Sequence, residues 1–550
     1  MEMTVDCKIV DSMQKILPKT IIKSERNVGK FLSGETADFQ LVFNNRSAST
    51  IKFAKIEIEG EIKDRVKILA EDLVPLTTFP ECPTDDYYST LETGLVPDLL
   101  RELRKTDICL YHDMNKAFFV SVDTRWLSAK AYDIDFVLKC GGTVCGKVNY
   151  KLEIIESSIE KSDLILTNWM HYDCISNYYG YEVFSDDFYA VFEKFLAEYV
   201  DIGFNMIYTP LFTPPLDTYV GGERKTAQLI DVKKNCGKYS FSFQKLEKFM
   251  NFCLERGIKF FEFSHLFTQW GGKACPKIIC ETDGKTEKLF GWEEKSDGEN
   301  YTAFLDAFLP ELVCFIHNKG LEYACFFHLT DEPCADDIIV YSKCRDAVKK
   351  YVGNMRILDA ISKFSFLEKG LVDIAVPIIN VYEKFRERYK GDLFVYYCCC
   401  PTDNYYTNRL LYMPLQRTRI LGIQLYINGA KGFLHWGFNF YNTAFSYSAV
   451  DPYKENDAGG LFPSGDSFIV YPDKENDGIR STMRAKAMKR AFADYELLKT
   501  LERMKGKNYV ADLLQAEKVS GFSDYPKDDR WIDDLFDRIR EIIKNDRNNF

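Results

Sequence analysis

The chain has 550 residues, 46% hydrophobic and 28% charged, a composition that feeds packed cores and excludes a collagen-like or mostly disordered protein. A net charge of −11 argues against the basic surface on which nonspecific nucleic-acid binding rests. No run of about 18 uncharged apolar residues is present to span a membrane. At roughly 100–200 residues per domain, two to four domains are expected. The opening MEMTVDCKIVDSMQ carries acids at Glu2, Asp6 and Asp11 and no long apolar core, so it does not read as a secretory signal. The 17 cysteines include no CxxC pair and no zinc spacing. They read as reduced thiols, and a cytoplasmic location is expected.

Residues 1–160 carry strand grammar. Phe39-Gln-Leu-Val-Phe43, Ile51-Lys-Phe-Ala-Lys-Ile-Glu-Ile58, Ala117-Phe-Phe-Val-Ser-Val122, Ala131-Tyr-Asp-Ile-Asp-Phe-Val137 and Lys147-Val-Asn-Tyr-Lys-Leu-Glu-Ile-Ile155 are separated by Asn44-Asn45, Glu59-Gly60 and Gly141-Gly142. Short alternating strands at this spacing predict an antiparallel β-sandwich. The Pro-, Thr-, Asp- and Tyr-rich segment 75–115 is expected to be a long connection.

From 161 to 500 helical patterns alternate with short apolar runs. Phe243, Leu246, Phe249, Met250, Cys253 and Leu254 share one face of a helix, with Ser242 as its expected N-cap and Gly257 at its end. A second helix is expected over 302–318, with Pro310 inside and Gly320 stopping it. Eight apolar runs are counted: Leu164–Trp169, Phe204–Thr209, Lys259–Leu266, Tyr323–Thr330, Val372–Pro377, Leu393–Cys398, Gly432–Trp436 and Phe468–Tyr471. Eight buried strands with room for helices between them predict a (β/α)8 TIM-type barrel. A doubly wound open sheet is the rival, weakened because no Gly-rich fingerprint follows an early strand. Residues 501–550 are expected to form a helical extension, with Trp531, Leu535, Ile539 and Ile542 packing on the barrel.

Catalytic side chains of such barrels stand at the C-terminal ends of strands. Four of the six histidines, His171, His265, His328 and His435, fall there, and the candidates at these ends are Trp169, His171, Tyr208, His265, His328, Tyr396, Tyr397, Trp436 and Asn439. The sharpest end is His328-Leu-Thr-Asp331-Glu332-Pro333, the only Asp-Glu dipeptide in a chain with 82 acidic residues. Pro333 favours an extended Glu332; a helix N-terminus is the competing explanation. A glycosidase pair flanking the scissile bond stands about 5–5.5 Å or 6.5–9.5 Å apart, which adjacent acids satisfy poorly. They suit substrate assistance better. The sugar's own 2-acetamido oxygen attacks, one carboxylate orients the acetamide, and the other protonates the leaving oxygen and then activates water. Trp169 and Trp436 are placed to bracket a pyranose ring, and Tyr396 or Tyr397 to donate to the acetamide oxygen. The high aromatic share, 15%, suits sugar stacking as well as large cores.

His328-Leu-Thr-Asp-Glu-Pro333, Gly432-Phe-Leu-His-Trp-Gly-Phe-Asn439, Gly465-Asp-Ser-Phe-Ile-Val-Tyr-Pro472, Arg480-Ser-Thr-Met-Arg484 and Asp494-Tyr-Glu-Leu-Leu498 together resemble glycoside hydrolase family 123 and its domain-of-unknown-function 4091 relatives. Gly94-Leu-Val-Pro-Asp-Leu-Leu100 resembles the closing segment of that family's N-terminal domain. The resemblance implies a β-sandwich, a (β/α)8 barrel and β-N-acetylgalactosaminidase activity by substrate assistance. It assigns acetamide orientation to Asp331 and general acid/base work to Glu332. The basic run after Arg480 departs from the family pattern. Many relatives are exported, whereas this chain opens without a signal segment.

The expectation is therefore a retaining hydrolase of β-linked 2-acetamido-2-deoxy sugars with no cofactor and a carbohydrate as its partner. The alternatives are a glycosidase for another sugar and a carbohydrate-binding barrel without turnover. A metalloenzyme is the weakest reading. It rests on His171 and Asp173, whose spacing resembles a partial metal site.

Overall fold

The computed structural model describes residues 4–104, 108–528 and 530–547. Glu2, residues 105–107 of the 75–115 segment and residues 548–550 of the C-terminal extension lie outside them. The chain divides into two compact units: Met1–Ser162 with Thr407–Ile427 and Arg480–Phe550, and Asp163–Tyr406 with Asn428–Ile479.

In the first unit the N-terminal strands form two sheets. One runs, antiparallel throughout, in the order Val5–Asp11, Thr36–Asn45, Asn115–Asp123, Val66–Leu76, Gly94–Glu102. The other runs Val28–Leu32, Thr143–Ile155, Ala131–Cys140, Ile51–Glu59, Ile108–Leu110. Its first pair is parallel, against the all-antiparallel expectation. Alternation buries one face of each strand, and the two faces share a core in which Phe39 stacks on Tyr150 at 4.0 Å. The expected connection over 75–115 is shorter than its composition suggested. Gly94–Glu102 is a strand, and Pro97 is tolerated because it sits beside a register shift against Asp72 and Leu73.

The same unit holds the helices Met483–Lys505, Lys507–Ala516 and Trp531–Arg547. The last buries Ile532, Leu535, Phe536, Ile539 and Ile543. It docks against the N-terminal sheets rather than the barrel, because its Arg540 pairs in two bonds with buried Glu35 (2.7 and 3.0 Å).

The second unit is built on a parallel sheet of eight strands curled into a nearly closed barrel. The strands are Ile165–Asn168, Met206–Thr209, Phe260–Phe263, Cys325–Phe327, Arg356–Asp359, Ile374–Ala375, Phe394–Tyr396 and Gly432–His435. Hydrogen-bonded neighbours run 6-5-4-3-2-1-8-7, and the bridges Ala375↔Leu393 and Ile378↔Tyr396 span the remaining gap. One of the eight sequence runs is corrected here, and one strand outside all eight is added. Arg356–Asp359 is the fifth strand and was not counted, because only Ile357 and Leu358 mark it as apolar. Phe468–Tyr471 is no stave; it is a buried segment bridged at Phe468 to Asn439.

The helix over Gln244–Glu255 starts one residue later than expected, with Phe243 rather than Ser242 at the N-cap. Gly257 follows its end at φ +98°. Glu299–Lys319 keeps Pro310 inside and stops at Gly320. No helix among the described residues is long and apolar enough to cross a membrane.

Candidate active site

The C-terminal ends of the barrel strands carry an ionic stack built from residues far apart in the chain. His328, one residue past the fourth strand, donates from Nδ1 to Asp359 Oδ1 (2.8 Å) and from Nε2 to Glu262 Oε1 (2.5 Å), with all three side chains fully buried. Burial alone would lower the imidazolium's pKa. The bonds to Asp359 and Glu262 outweigh it and raise the group to about 9, so the ring is charged at neutrality. Glu262 also accepts from Thr167 Oγ1 (2.6 Å) and Trp169 Nε1 (2.8 Å), and Asp359 from Tyr341 (2.6 Å). His265 stacks on His328 with centroids 4.3 Å apart. Burial and the charge of His328 push His265 well down, so it stays neutral, taking a hydrogen bond from Tyr208 at Nδ1 (2.9 Å).

Asp331 and Glu332 close the end of the fourth strand. Glu332 is not extended as Pro333 suggested; its φ is +45°. A left-handed non-glycine residue costs about 1–3 kcal/mol and survives where its surroundings over-determine it. Here Tyr396 at the end of the seventh strand donates its hydroxyl to Glu332 Oε1, and the Asp331 carbonyl accepts from Trp270 N (2.9 Å). The surface of Glu332 is exposed, yet crowding of its carboxyl raises its pKa; the Tyr396 bond opposes that rise and the charge of Cys400 adds to it. Asp331 is half-buried, and its carboxyl takes no hydrogen bond from a described residue. Burial, then the charge of Glu332, raise it well above the ordinary range.

Around this pair other backbones are strained alike: Asp217 (φ +42°), Trp270 (+56°), Phe445 (+61°) and Ser446 (+55°). They are stitched together. Phe445 N donates to Asp217 Oδ1 (3.3 Å), Ser446 Oγ to the Asp217 carbonyl (2.7 Å), and Asp217 N to Gln269 Oε1 (2.5 Å). Asp217 Oδ2 is buried without a partner among the described residues. Burial lifts this carboxyl to about 6, and its charge is felt at Asp331. Exposed rings rim the same loops: Trp270 packs edge-on to Phe445 at 5.8 Å, and Tyr219 stacks on Tyr447 at 4.7 Å.

The other sequence candidates are placed as follows. Trp169 is buried, its ring among Tyr208, His265 and His328. Trp436 is half-buried, donating to Asp466 Oδ2 (3.0 Å). Tyr397 is fully buried, its ring edge-on to His435. Asn439 clasps the His171 backbone, accepting from its N–H (2.9 Å) and donating to its carbonyl (3.1 Å).

His171 and Asp173 do not form a metal site. Arg224 already fills the space, with two bonds to Asp173 (2.6 and 2.8 Å) and one contact to His171 Nδ1 (3.1 Å). Burial, then the Arg224 charge, lower His171 to about 3. His265, His328 and Asp359 also come within reach of one cation, but both nitrogens of His328 are spent on carboxylates. Glu262, Asp359, Asp217 and Trp270 were not named from sequence. Glu262 carried a signal, a lone acid within Phe-Phe-Glu-Phe, whereas Asp359 sat in the strand that was not counted.

The family description "Glycoside hydrolase 123, catalytic domain" matches residues 169–501. No curated protein matches the sequence. Among solved structures, the chain is similar to a family 123 glycoside hydrolase from Clostridium perfringens, described in connection with glycolipid glycan hydrolysis. That similarity has 16% identity and a TM-score of 0.73, covering 100% of this chain and 98% of that one. A family 39 glycoside hydrolase from Bacteroides cellulosilyticus overlaps 80% of each chain at 11% identity, but its TM-score of 0.35 carries no weight. The family match spans more than half of the sequence, and the full-length likeness gives the same architecture, so the chain belongs to glycoside hydrolase family 123 and is a glycoside hydrolase.

Proposed function

We propose that this hydrolase cleaves β-linked 2-acetamido-2-deoxy sugars, β-N-acetylgalactosaminides foremost, with retention and through the substrate's own acetamide. The observation that carries the reading is the adjacent pair Asp331–Glu332, both pushed up in pKa at one strand end. Two neighbouring acids titrate as a pair, and the upward shift of both favours a proton shared between them. An acetamide N–H donated to Asp331, which has an open acceptor, draws the negative charge there and leaves the proton on Glu332. Asp331 then steadies the oxazolinium ion that forms when the acetamide oxygen attacks the anomeric carbon. Glu332 protonates the departing oxygen and afterwards takes a proton from water. Tyr396 holds Glu332 in line. The deep stack of Trp169, Tyr208, His265 and His328 shapes the floor for the terminal sugar, and exposed Trp270 receives the leaving part. In this reading the N-terminal sheets are a β-sandwich, antiparallel apart from the pair Val28–Leu32 and Thr143–Ile155, and the barrel is of (β/α)8 TIM type.

A panel of aryl glycosides tests the proposal. Release from aryl β-N-acetylgalactosaminide with a retained anomer is expected. Glu332→Gln should lose about 10²–10⁴-fold in kcat, and Glu332→Ala should recover on substrates with activated leaving groups. Unchanged turnover of a 2-acetamido substrate by Asp331→Asn would end the assisted mechanism.

A further inference from the structure

Directly after the seventh barrel strand, Cys398, Cys399 and Cys400 turn their sulfurs toward one another. Cys398 Sγ lies 3.8 Å from Cys400 Sγ and 3.9 Å from Cys399 Sγ. One ligand atom from each residue lies within 4.8 Å of the others. None is in a disulfide, Cys398 and Cys399 are half-buried, and Cys400 is exposed. Consecutive residues of an extended strand point to opposite faces, so this convergence depends on the chain leaving the strand here. Zinc–sulfur bonds of about 2.3 Å in a tetrahedron set its sulfur–sulfur edges at about 3.8 Å. The two measured separations match that edge. Glu332 stands beside this turn: its carboxylate is held by the hydroxyl of Tyr396, two residues before Cys398.

We propose that Cys398, Cys399 and Cys400 form a three-thiolate site for a thiophilic cation of the Zn2+ class, whose occupation suppresses hydrolysis by drawing Glu332 off the leaving-group oxygen. Binding releases the thiol protons to solvent and changes no oxidation state. The fourth coordination position takes water or the Glu332 carboxylate. The binding half stands on the sulfur geometry alone; the inhibition half rests on Glu332 as the acid.

The test uses the full chain, reduced and treated with chelator, titrated with Co2+ alone. One equivalent should bring the sulfur-to-cobalt charge-transfer band and the strong visible absorption of a tetrahedral site, and Zn2+ should erase both. The Cys398→Ser/Cys399→Ser/Cys400→Ser variant should lack them, and Cys400→Ser alone should bind about tenfold or more weakly. Zn2+ should cut turnover of the parent about 100-fold, with recovery on adding chelator, and leave the triple variant's turnover unaffected. Equal cobalt spectra in parent and triple variant overturn the site, as does a reduced parent that shows no charge-transfer band at one equivalent of Co2+. Tight binding with undiminished turnover overturns the inhibition. A parent without turnover on any 2-acetamido glycoside sinks the functional reading, while the cobalt signal still decides the site.

Discussion

In the proposed mechanism Glu332 must hold a proton until the leaving group departs and then give it up. Its crowded carboxyl favours the first condition by raising its pKa. Tyr396 supplies the second, because its hydrogen bond favours the ionised form. Replacing Tyr396 by Phe removes the only contribution among those named that lowers Glu332. The acid's pKa then rises further, and the alkaline limb of kcat/KM should move to higher pH while kcat falls because the donor is less well aligned. A pH profile measured on both proteins checks this; a limb that does not move shows that Tyr396 leaves the acid's ionisation alone. Asp217 acts on the other carboxyl. Its charge raises Asp331, so Asp217→Asn should lower Asp331 and carry the acid limb to lower pH. The same substitution should stabilise the fold at neutrality. Asp217 has a folded pKa of about 6, above the ordinary carboxylate value. A raised acid contributes stability below its unfolded pKa and loses it as pH rises through the folded one. Removing it should therefore gain about 1–2 kcal/mol at pH 7, read from urea midpoints.

At the scale of the elements, the fourth strand with its partners in the third and fifth is a charged core inside an apolar barrel. His328 has a raised pKa, so its contribution to stability is full below about 6.5, its unfolded value, and is lost as pH rises toward about 9. His328→Gln leaves Glu262 and Asp359 buried without their counter-ion and should cost about 3–5 kcal/mol. A chemical denaturation series from pH 6 to 10 should show the parent's extra stability fading across that window and the variant's curve flat there. How much of this was legible in the sequence follows from the same strands. Long helices with clear faces, such as Gln244–Glu255, declared themselves, and so did apolar strands ending in polar residues, such as Cys325–Phe327. Arg356–Asp359 stayed hidden because a short barrel strand between two helices needs only two apolar residues. The acid pair stood out as a rare dipeptide after a buried run. Its supports, Asp217 and Tyr396, come from the loop after the second strand and the end of the seventh, and only three-dimensional closure brings them near.

At the scale of the whole chain, the first unit is fastened by buried arginines. Arg419 binds Asp494 (2.6 Å) and Asp533 (2.5 Å), Arg484 grips Asp98 (2.9–3.1 Å), and Arg417 grips Asp85 (2.9 and 3.1 Å). Such pairs add modestly when whole and cost about 3–5 kcal/mol when one partner is removed. Deleting residues 501–550 takes away Asp533 and Arg540 together and leaves Arg419 and Glu35 short of their partners. The shortened protein should aggregate or melt far below the parent, as calorimetry would show. Arg419→Met should lower the melting temperature without changing KM. An unaltered melting temperature in either would show that the arginine clasps are ornamental.

The clasp between Glu35 and Arg540 joins residues separated by 505 positions. A ribosome adding about 5–20 residues each second needs roughly half a minute to two minutes to travel that distance. Throughout that interval the nascent first sheets carry a carboxylate whose counter-ion has not been made. The barrel segments, encoded between them, emerge and can collapse earlier. Assembly of this protein therefore finishes where it began, and a messenger truncated near its end yields a chain whose oldest part is the one left undone.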